Sequence, residues 1–468
     1  MVKLYLNNFG PFEEAEVELK PLTVFIGRNS TGKSMFSYLL WALSSAEPLL
    51  DRVEAGWEPV VEIAEKVVRR VKEGRVESED LEELVRAYVK VLVDAVKHGL
   101  EERFRHAFGV ELRELVRIGR DKAVIEVHGS CAKIRFSLED EVKIEEFDLC
   151  IEDMLRKVDV RVLRKGYVHV DYGSYLKKYR VLKKYRVYSI ADVESLVVDL
   201  LFRHTAVEFR WLALATPHLT CMLPDSRAGI TRALLKPYIS PTLLSGVLGV
   251  DREYVSTYFR LAELLSRNPW VVELIKPLLE ELGVTIDVRF ESGVYNIYVK
   301  SRSNKVMPIA MAPSGVREAI TVALALFMVD PIELMPVSIF IEEPEAHLHP
   351  GAQRLLARII SRAVNMGKNV VVTTHSDYLI TALNNLIALS QLPKRRLKRL
   401  GYTEKEVLPP ESVAAYLVRA EGDKAVVEKL QVTGEGIPED EFAKVAEELL
   451  GERGRIYDEI QKVQAGRS

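Results

Sequence analysis

Four short stretches carry residues whose types and spacing suit phosphate chemistry. Gly27, Arg28, Asn29, Ser30, Thr31, Gly32, Lys33 and Ser34 follow the P-loop pattern of a glycine, four residues, then Gly-Lys-Ser. In such a loop backbone N–H groups wrap a phosphate, and the helix that follows turns its positive end toward it. Gly27 and Gly32 allow close backbone approach, Lys33 would reach the β- and γ-phosphates, and Ser34 would ligate Mg2+. An apolar run at 336–341 ends in Glu342 and Glu343. Beside a P-loop strand, the first acid suits the metal and the second suits taking a proton from an attacking water. A third apolar run, 369–374, delivers His375 and Ser376 to a strand end, the edge where α/β sheets bind ligands. Ser314-Gly315 opens an apolar helix over 319–329 and offers a second anion site. Taken singly, the acids read as solvated strand-end charges, His375 as a structural histidine and Ser314 as a helix cap. The P-loop tips each toward the functional reading.

These residues need elements to hold them. Residues 23–26 are β-branched or aromatic and read as a buried strand, while 34–43 read as a buried helix that stops before Glu47-Pro48. Two half-exposed strands precede them, 2–8 and 15–19, joined at Gly10-Pro11. Beyond, Pro59 opens a helix with Val60, Ile63, Ala64, Val67 and Val71 on one stripe, closed by Gly74. Ser78-Glu79-Asp80 caps another that buries Leu81, Leu84, Val85, Tyr88, Leu92 and Val96. The period then falls to two, giving hairpins over 123–138 and 284–300 that turn at 128–130 and 291–293. Helices are expected around 193–215 and 252–282. The tail reads as two edge strands, 412–418 and 426–432, followed by an amphipathic helix over 439–450.

A net charge of -3 gives no global field to hold a polyanion, so any nucleic-acid contact must come from a local patch. The interleaved tyrosines and cations of 175–186, including Lys177, Lys178, Lys183 and Lys184, suit nucleic acid. A solvated helix with its tyrosines inward gives the same string and is the preferred reading. The basic run 394–399 reads as a solvated loop. Cys131, Cys150 and Cys221 are too scattered for a disulfide framework or a zinc hook, which fits a reducing cytosol. With no signal-like start and no bilayer-length apolar run, a cytoplasmic protein without membrane contact is expected. Scarce glutamine amid abundant Glu, Lys and Arg is a thermophile-like bias.

The order of parts, P-loop, Ser-Gly helix start, Glu-Glu-Pro strand and His strand, resembles the ABC class of ATPases. Within it the chain is most similar to the non-transporter RecF, SMC and OLD-like "AAA family" branch of prokaryotes. Leu6-Asn7-Asn8-Phe9-Gly10-Pro11-Phe12 and Leu22-Thr23-Val24-Phe25-Ile26-Gly27 resemble its first strands, and Glu343-Pro344-Glu345-Ala346-His347-Leu348-His349-Pro350 its Walker B and D-loop. Leu223-Pro224-Asp225-Ser226-Arg227 resembles a Leu-Pro-Ala-x-Arg segment of OLD-like members. The resemblance implies an α/β, P-loop NTPase head of two lobes with a mixed helical and β-hairpin insertion. The core would comprise 1–46 and 221–390, the insertion 47–220, and lobe completion 391–468. It further implies an ATP- and Mg2+-dependent ATPase that forms an ATP-dependent homodimer and drives DNA or a companion effector. Ser314 and Gly315 would act in trans, Glu342 would hold Mg2+ with Ser34, Glu343 would polarise water, and His375 would be the switch histidine. Residues 345–348 would communicate across the dimer.

Three features depart from that pattern. No glutamine lies between Ser34 and Ser314 to serve as the Q-loop residue, so Asp225 or Arg227 is the candidate for its neighbourhood. The first Walker B acid is Glu342 where Asp is commoner, and the signature reads Pro-Ser-Gly-Val-Arg, unlike that of a transporter. His347-x-His349 has metal-ligand types but no further His or Cys beside it. The tail lacks the paired acids of the Toprim nuclease of OLD-type proteins. Two rival readings are an ATP-binding switch with little hydrolysis and a P-loop kinase. The kinase would need an arginine-rich lid that is not visible, and it would leave Ser314 and His375 without roles.

Overall fold

An apolar run without alternation belongs inside a sheet covered on both faces, and Leu22–Ile26 lies there, every residue buried. The structure is a computed structural model and describes residues 2–75, 78–164, 167–171, 182–208, 219–233, 249–291, 293–328 and 337–465. The strand belongs to an 11-stranded mixed sheet. From one edge the order is Leu219–Leu223, Val337–Glu342, Asn369–Thr374, Leu22–Ile26, Val413–Glu421, Lys424–Leu430, Phe12–Leu19, Val2–Phe9, Ala123–His128, Lys133–Leu138 and Val142–Asp148. The first five run parallel. The remaining pairings are antiparallel, apart from one parallel contact between Ala425 and Phe12.

Because side chains alternate along a strand, each parallel strand feeds two cores. Phe25, Phe340, Val371 and Tyr416 point into one, with the P-loop helix Lys33–Ser45 and the helices Trp57–Glu73, Ser78–Phe108 and Ile190–Glu208. Val24, Ile26, Ile339, Ile341, Val370 and Val372 point into the other, under Gly249–Arg267, Val271–Leu282, Ser314–Ala325, Pro350–Asn365 and Asp377–Ala388. Phe36 of the P-loop helix stacks on Phe25 at 5.2 Å and meets Phe12 edge-on at 4.6 Å, fixing the helix over the junction of the sheet's two halves.

Several expectations are corrected. The Glu342 strand does not lie beside the P-loop strand: Asn369–Thr374 takes that slot and bonds to both. The tail strands are not edges. Val413–Glu421 pairs with the P-loop strand and Lys424–Leu430 joins it to the N-terminal hairpin, because 413–418 is buried on both faces. Tyr416 locks this arrangement, its hydroxyl accepting from Glu18 N at 2.7 Å and donating to Glu18 O at 3.1 Å. The last helix runs Asp440–Ala465, well past residue 450. The helical region expected around 252–282 comprises two helices, Gly249–Arg267 and Val271–Leu282, with Pro269 between them. The basic run at 394 forms a short helix, Lys394–Leu397.

The hairpin at 123–138 extends the main sheet, so the central region does not stand apart from the core. Within the tyrosine-rich stretch, Leu182–Arg186 is a strand and not a helix, the last of a small sheet with Asp159–Arg164 and Tyr167–Asp171. Residues 175–181, with Lys177 and Lys178, lie outside the described residues, as do Ser292, Pro336 and 209–215.

Gly27 shows how tightly the sheet grips the loop: a Cβ there would sit 2.1 Å from the Val418 carbonyl oxygen. Gly27→Ala is therefore expected to lower stability by about 1–3 kcal/mol, read by thermal denaturation, as the loop is pushed off Val413–Glu421.

Candidate functional site

The five parallel strands present their carboxyl ends on one edge, and the predicted residues gather there. The P-loop rises from Ile26, and its helix begins at Lys33 with Gly32 as N-cap at φ 99° and no side chain capping it. The first helical N–H groups are thus left for an anion. A Cβ on Gly32 would meet the Phe12 ring at 2.7 Å, so only glycine fits between loop and hairpin. Arg28, Asn29, Ser30 and Ser34 are exposed on the loop, while Thr31 and Lys33 are buried. The Thr31 hydroxyl donates to Arg28 O at 2.9 Å. Lys33 Nζ donates to Gly27 O at 2.8 Å and Arg28 O at 2.6 Å. Burial lowers the Lys33 pKa, while the negative charges of Glu343, Glu345 and Glu342 act against that shift.

Glu342, at the end of its strand, is 1% exposed. Its Oε2 accepts from the Tyr38 hydroxyl at 3.1 Å and from Asp225 N at 3.3 Å. Its Oε1 is buried without a hydrogen-bond partner. Burial pushes this carboxyl up to about 7, with the Asp225 charge adding to the shift and Ser34, Tyr38 and Asp225 N–H contacts opposing it. A buried acid with one oxygen tied down and one unused, facing the Ser34 hydroxyl, fits a divalent cation. Mg2+ takes one or two carboxylates and completes its shell with phosphates and water. No cluster of three or more His, Cys, Asp or Glu able to hold a metal exists among the described residues.

One residue on, Glu343 has φ 43° and its N–H bonds Thr373 O at 2.9 Å, which turns its carboxylate off the strand line. Its Oε1 lies 3.2 Å from His375 Nδ1, both side chains partly exposed. Glu345 is buried and accepts from the Thr374 hydroxyl at 2.5 Å and from His375 N at 3.1 Å. Desolvation raises its pKa. His375 is thus fixed from its backbone by one glutamate and faced at its ring by another.

Gly315 packs against the D-loop, where a Cβ would meet His347 O at 2.6 Å. His347 Nε2 lies 3.5 Å from Glu318 Oε1, and His349 Nδ1 accepts from Gly351 N at 3.2 Å to cap Pro350–Asn365. The two histidines therefore have separate structural partners.

Arg227 joins these parts. It is fully buried; Nη1 donates to Pro224 O at 2.9 Å and Glu342 O at 2.6 Å, and Nη2 donates to Glu343 O at 2.7 Å. Nη2 also lies 3.2 Å from Glu318 Oε2, an acid of the helix that Ser314 opens. Both candidates for the Q-loop neighbourhood thus border Glu342: Asp225 touches its carboxylate through its N–H and charge, and Arg227 its backbone carbonyl. Tyr38 and Glu318 were not singled out in the sequence. Tyr38 reads as one more apolar-face residue of a buried helix, and nothing local marks Glu318, whose partners are distant.

The family described as AAA ATPase domain matches residues 1–155 and 252–380, more than half of the sequence. The chain belongs to that family. The match spans the P-loop, the Ser314 helix, the Glu342-Glu343 strand and His375, and with the strand order it bears out an ABC-type, RecF/SMC-like P-loop ATPase fold. No curated protein matches the chain. Similar solved structures include an SMC head bound to the C-winged helix domain of ScpA, 12% identical, covering 92% of this chain and 98% of that one, TM-score 0.44. The SMC head domain from Thermotoga maritima is 10% identical over 92% and 98%, TM-score 0.35. An Smc head with extended coiled coil bound to a ScpA domain derived from Pyrococcus furiosus is 12% identical over 96% and 100%, TM-score 0.40. At these scores the fold assignment rests on the family match and the strand order. Among the described residues no helix is long and apolar enough to cross a membrane.

Two outcomes follow from the buried charges. Arg227→Met is expected to cost about 3–5 kcal/mol by taking the guanidinium away from the buried Glu318 carboxylate and three carbonyls, and Arg227→Met/Glu318→Met to recover only part of it, measured by denaturant unfolding. A carboxyl raised from 4.5 to about 7 by folding destabilises the fold progressively from pH 4.5 to about 7 and by a constant amount above. Glu342→Gln should therefore leave nucleotide-free stability unchanged near pH 4 and raise it at pH 8 by on the order of 3 kcal/mol, read by melts at both values.

Proposed function

We propose that the chain is an ATP-hydrolysing head that binds Mg2+·ATP at Gly27–Ser34 and closes on a second copy of itself. The observation that carries this reading is the convergence of Lys33, Glu342, Glu343 and His375 on one sheet edge, with the Lys33 ammonium feeling the charge of three glutamates. Lys33 would leave the Gly27 and Arg28 carbonyls for the β- and γ-phosphate oxygens, a charge-assisted exchange. Ser34 and Glu342 Oε1 would hold Mg2+, whose contribution is to offset phosphate charge. Tyr38 and the Asp225 N–H, both on Oε2, keep Glu342 turned so that Oε1 stays open.

Glu343 is the group placed to accept a proton from water attacking the γ-phosphate. His375, anchored through Glu345, orients it and reaches the same phosphate. Ser314 and Gly315 begin an uncapped helix that meets the D-loop, so their anion-binding end suits the nucleotide of a second copy. The Arg227–Glu318 contact ties that helix to the backbone bearing Glu342 and Glu343, so closure over one nucleotide and chemistry at the other share a rigid connection. The motion would be passed to a companion effector or to DNA, within the cytoplasm.

Lys33→Ala is expected to abolish ATP binding in equilibrium dialysis. Glu343→Gln should keep binding, lose turnover by about 100-fold or more, and accumulate as an ATP-bound dimer in size-exclusion chromatography. Phosphate release indifferent to both changes, or dimers that never appear with ATP, would refute this reading.

A further inference from the structure

The helix Asp440–Ala465 plays no part in the site, and the fold leaves it bare. Of its side chains up to 464 only Phe442 is partly buried, packed on the sheet's second core; the rest are exposed. Its start is firmly held: Glu439 accepts from Asn384 Nδ2 at 2.7 Å and from the Thr381 hydroxyl at 3.2 Å. Both partners lie on Asp377–Ala388, the helix that follows His375. Beyond that anchor Leu449, Ile456, Ile460 and Val463 stand 61, 53, 44 and 55% exposed. An isolated helix of this length is marginal in water, and Gly451 and Gly454 weaken it further. Something must cover its apolar side.

The spacing says what. Phe442, Ala446, Leu449, Arg453, Ile456, Ile460 and Val463 follow alternating steps of four and three, the 3.5-residue period of a two-stranded coiled-coil seam rather than the 3.6 of a surface helix. Both glycines fall on the outer face, away from the seam. The flanking residues then choose the partner and its direction. In a parallel pair of identical helices Val445 faces Leu450, Glu452 faces Tyr457 and Glu459 faces Gln464, so no like charges oppose each other along the flanks, and the two Arg453 side chains meet across the seam. Arg453, the only charged residue in the seam, falls beside Glu452 of the other strand. On its own helix its guanidinium lies over Tyr457, 5.5 Å from the ring centre. An antiparallel pair would set the Glu452 and Glu459 edges against each other.

We infer that Asp440–Ala465 forms a parallel two-stranded coiled coil with the same helix of a second copy of this chain, joining two heads whether or not nucleotide is bound. The contact is distinct from the nucleotide-dependent closure proposed above and does not rest on it. It would keep the heads at high local concentration, so that closing becomes an intramolecular step. Its root on the helix after His375 places it one element from the site.

Sedimentation velocity on the full chain without nucleotide tests this. Wild type and Lys33→Ala are both expected to be dimers, and Ile456→Glu/Ile460→Glu a monomer with an unchanged thermal melt of the body. Val463→Cys, in a Cys131→Ser background, should cross-link to its own copy under mild oxidation, as a parallel seam requires. A wild-type monomer without nucleotide would overturn the inference, as would a dimer that survives Ile456→Glu/Ile460→Glu or a Val463→Cys dimer that fails to cross-link. A chain that dimerises only with ATP would overturn it and leave the nucleotide reading standing; a nucleotide-free dimer without turnover would do the reverse.

Discussion

The site depends on one buried cation. Arg227 has no access to water; its Nη1 and Nη2 donate to the carbonyls of Pro224, Glu342 and Glu343, and Nη2 lies beside the Glu318 carboxylate. A guanidinium cannot shed its proton to escape burial, so its donors must be matched by acceptors held in place. That requirement fixes the end of the Glu342 strand, the turn after Leu219–Leu223 and the Ser314 helix relative to one another. The planar fork of arginine suits this: two separate carbonyls and an acid are held in one geometry, which a lysine would hold only loosely. The Glu342-Glu343 pair thus takes its position from backbone bonds, and its carboxylates stay available for chemistry.

Around that hub the acids are differentiated by environment. Glu342 is desolvated and has one oxygen engaged, Glu343 is turned outward onto His375, and Glu345 is spent on Thr374 and the His375 N–H. Three glutamates within four residues thereby acquire three different settings, and only burial and partner geometry distinguish them. The nearby Lys33 ammonium balances part of their charge.

Much of this was legible in the sequence wherever a local rule forces the residue type. The P-loop was readable because two glycines at fixed spacing answer to backbone geometry, and Gly27 and Gly32 indeed leave no room for a Cβ. Glu342, Glu343 and His375 were readable as strand-end residues. The neighbours of those strands were not, since strand order is set by long-range pairing. The apolar run 413–418 did carry the signal of a strand covered on both faces, and reading it as an edge overlooked that. Arg227 was visible only as a resident of the Q-loop neighbourhood. Its role, like those of Tyr38 and Glu318, arises from contacts that no period or motif records. The last helix was expected to stop at residue 450, although its seam continues to the end of Asp440–Ala465.

The P-loop strand has one further consequence, and it concerns time. Leu22–Ile26 is made well before its two neighbours in the sheet, Asn369–Thr374 and Val413–Glu421. Tyr416 must also arrive before the Glu18 backbone gains its partner. During synthesis this apolar strand therefore waits, without its final neighbours, until those later strands have emerged. Such non-local pairing slows folding and leaves a strand open to wrong partners meanwhile. The nucleotide loop is in this sense the last part of the molecule to become itself: no truncated or half-made chain can present a finished one.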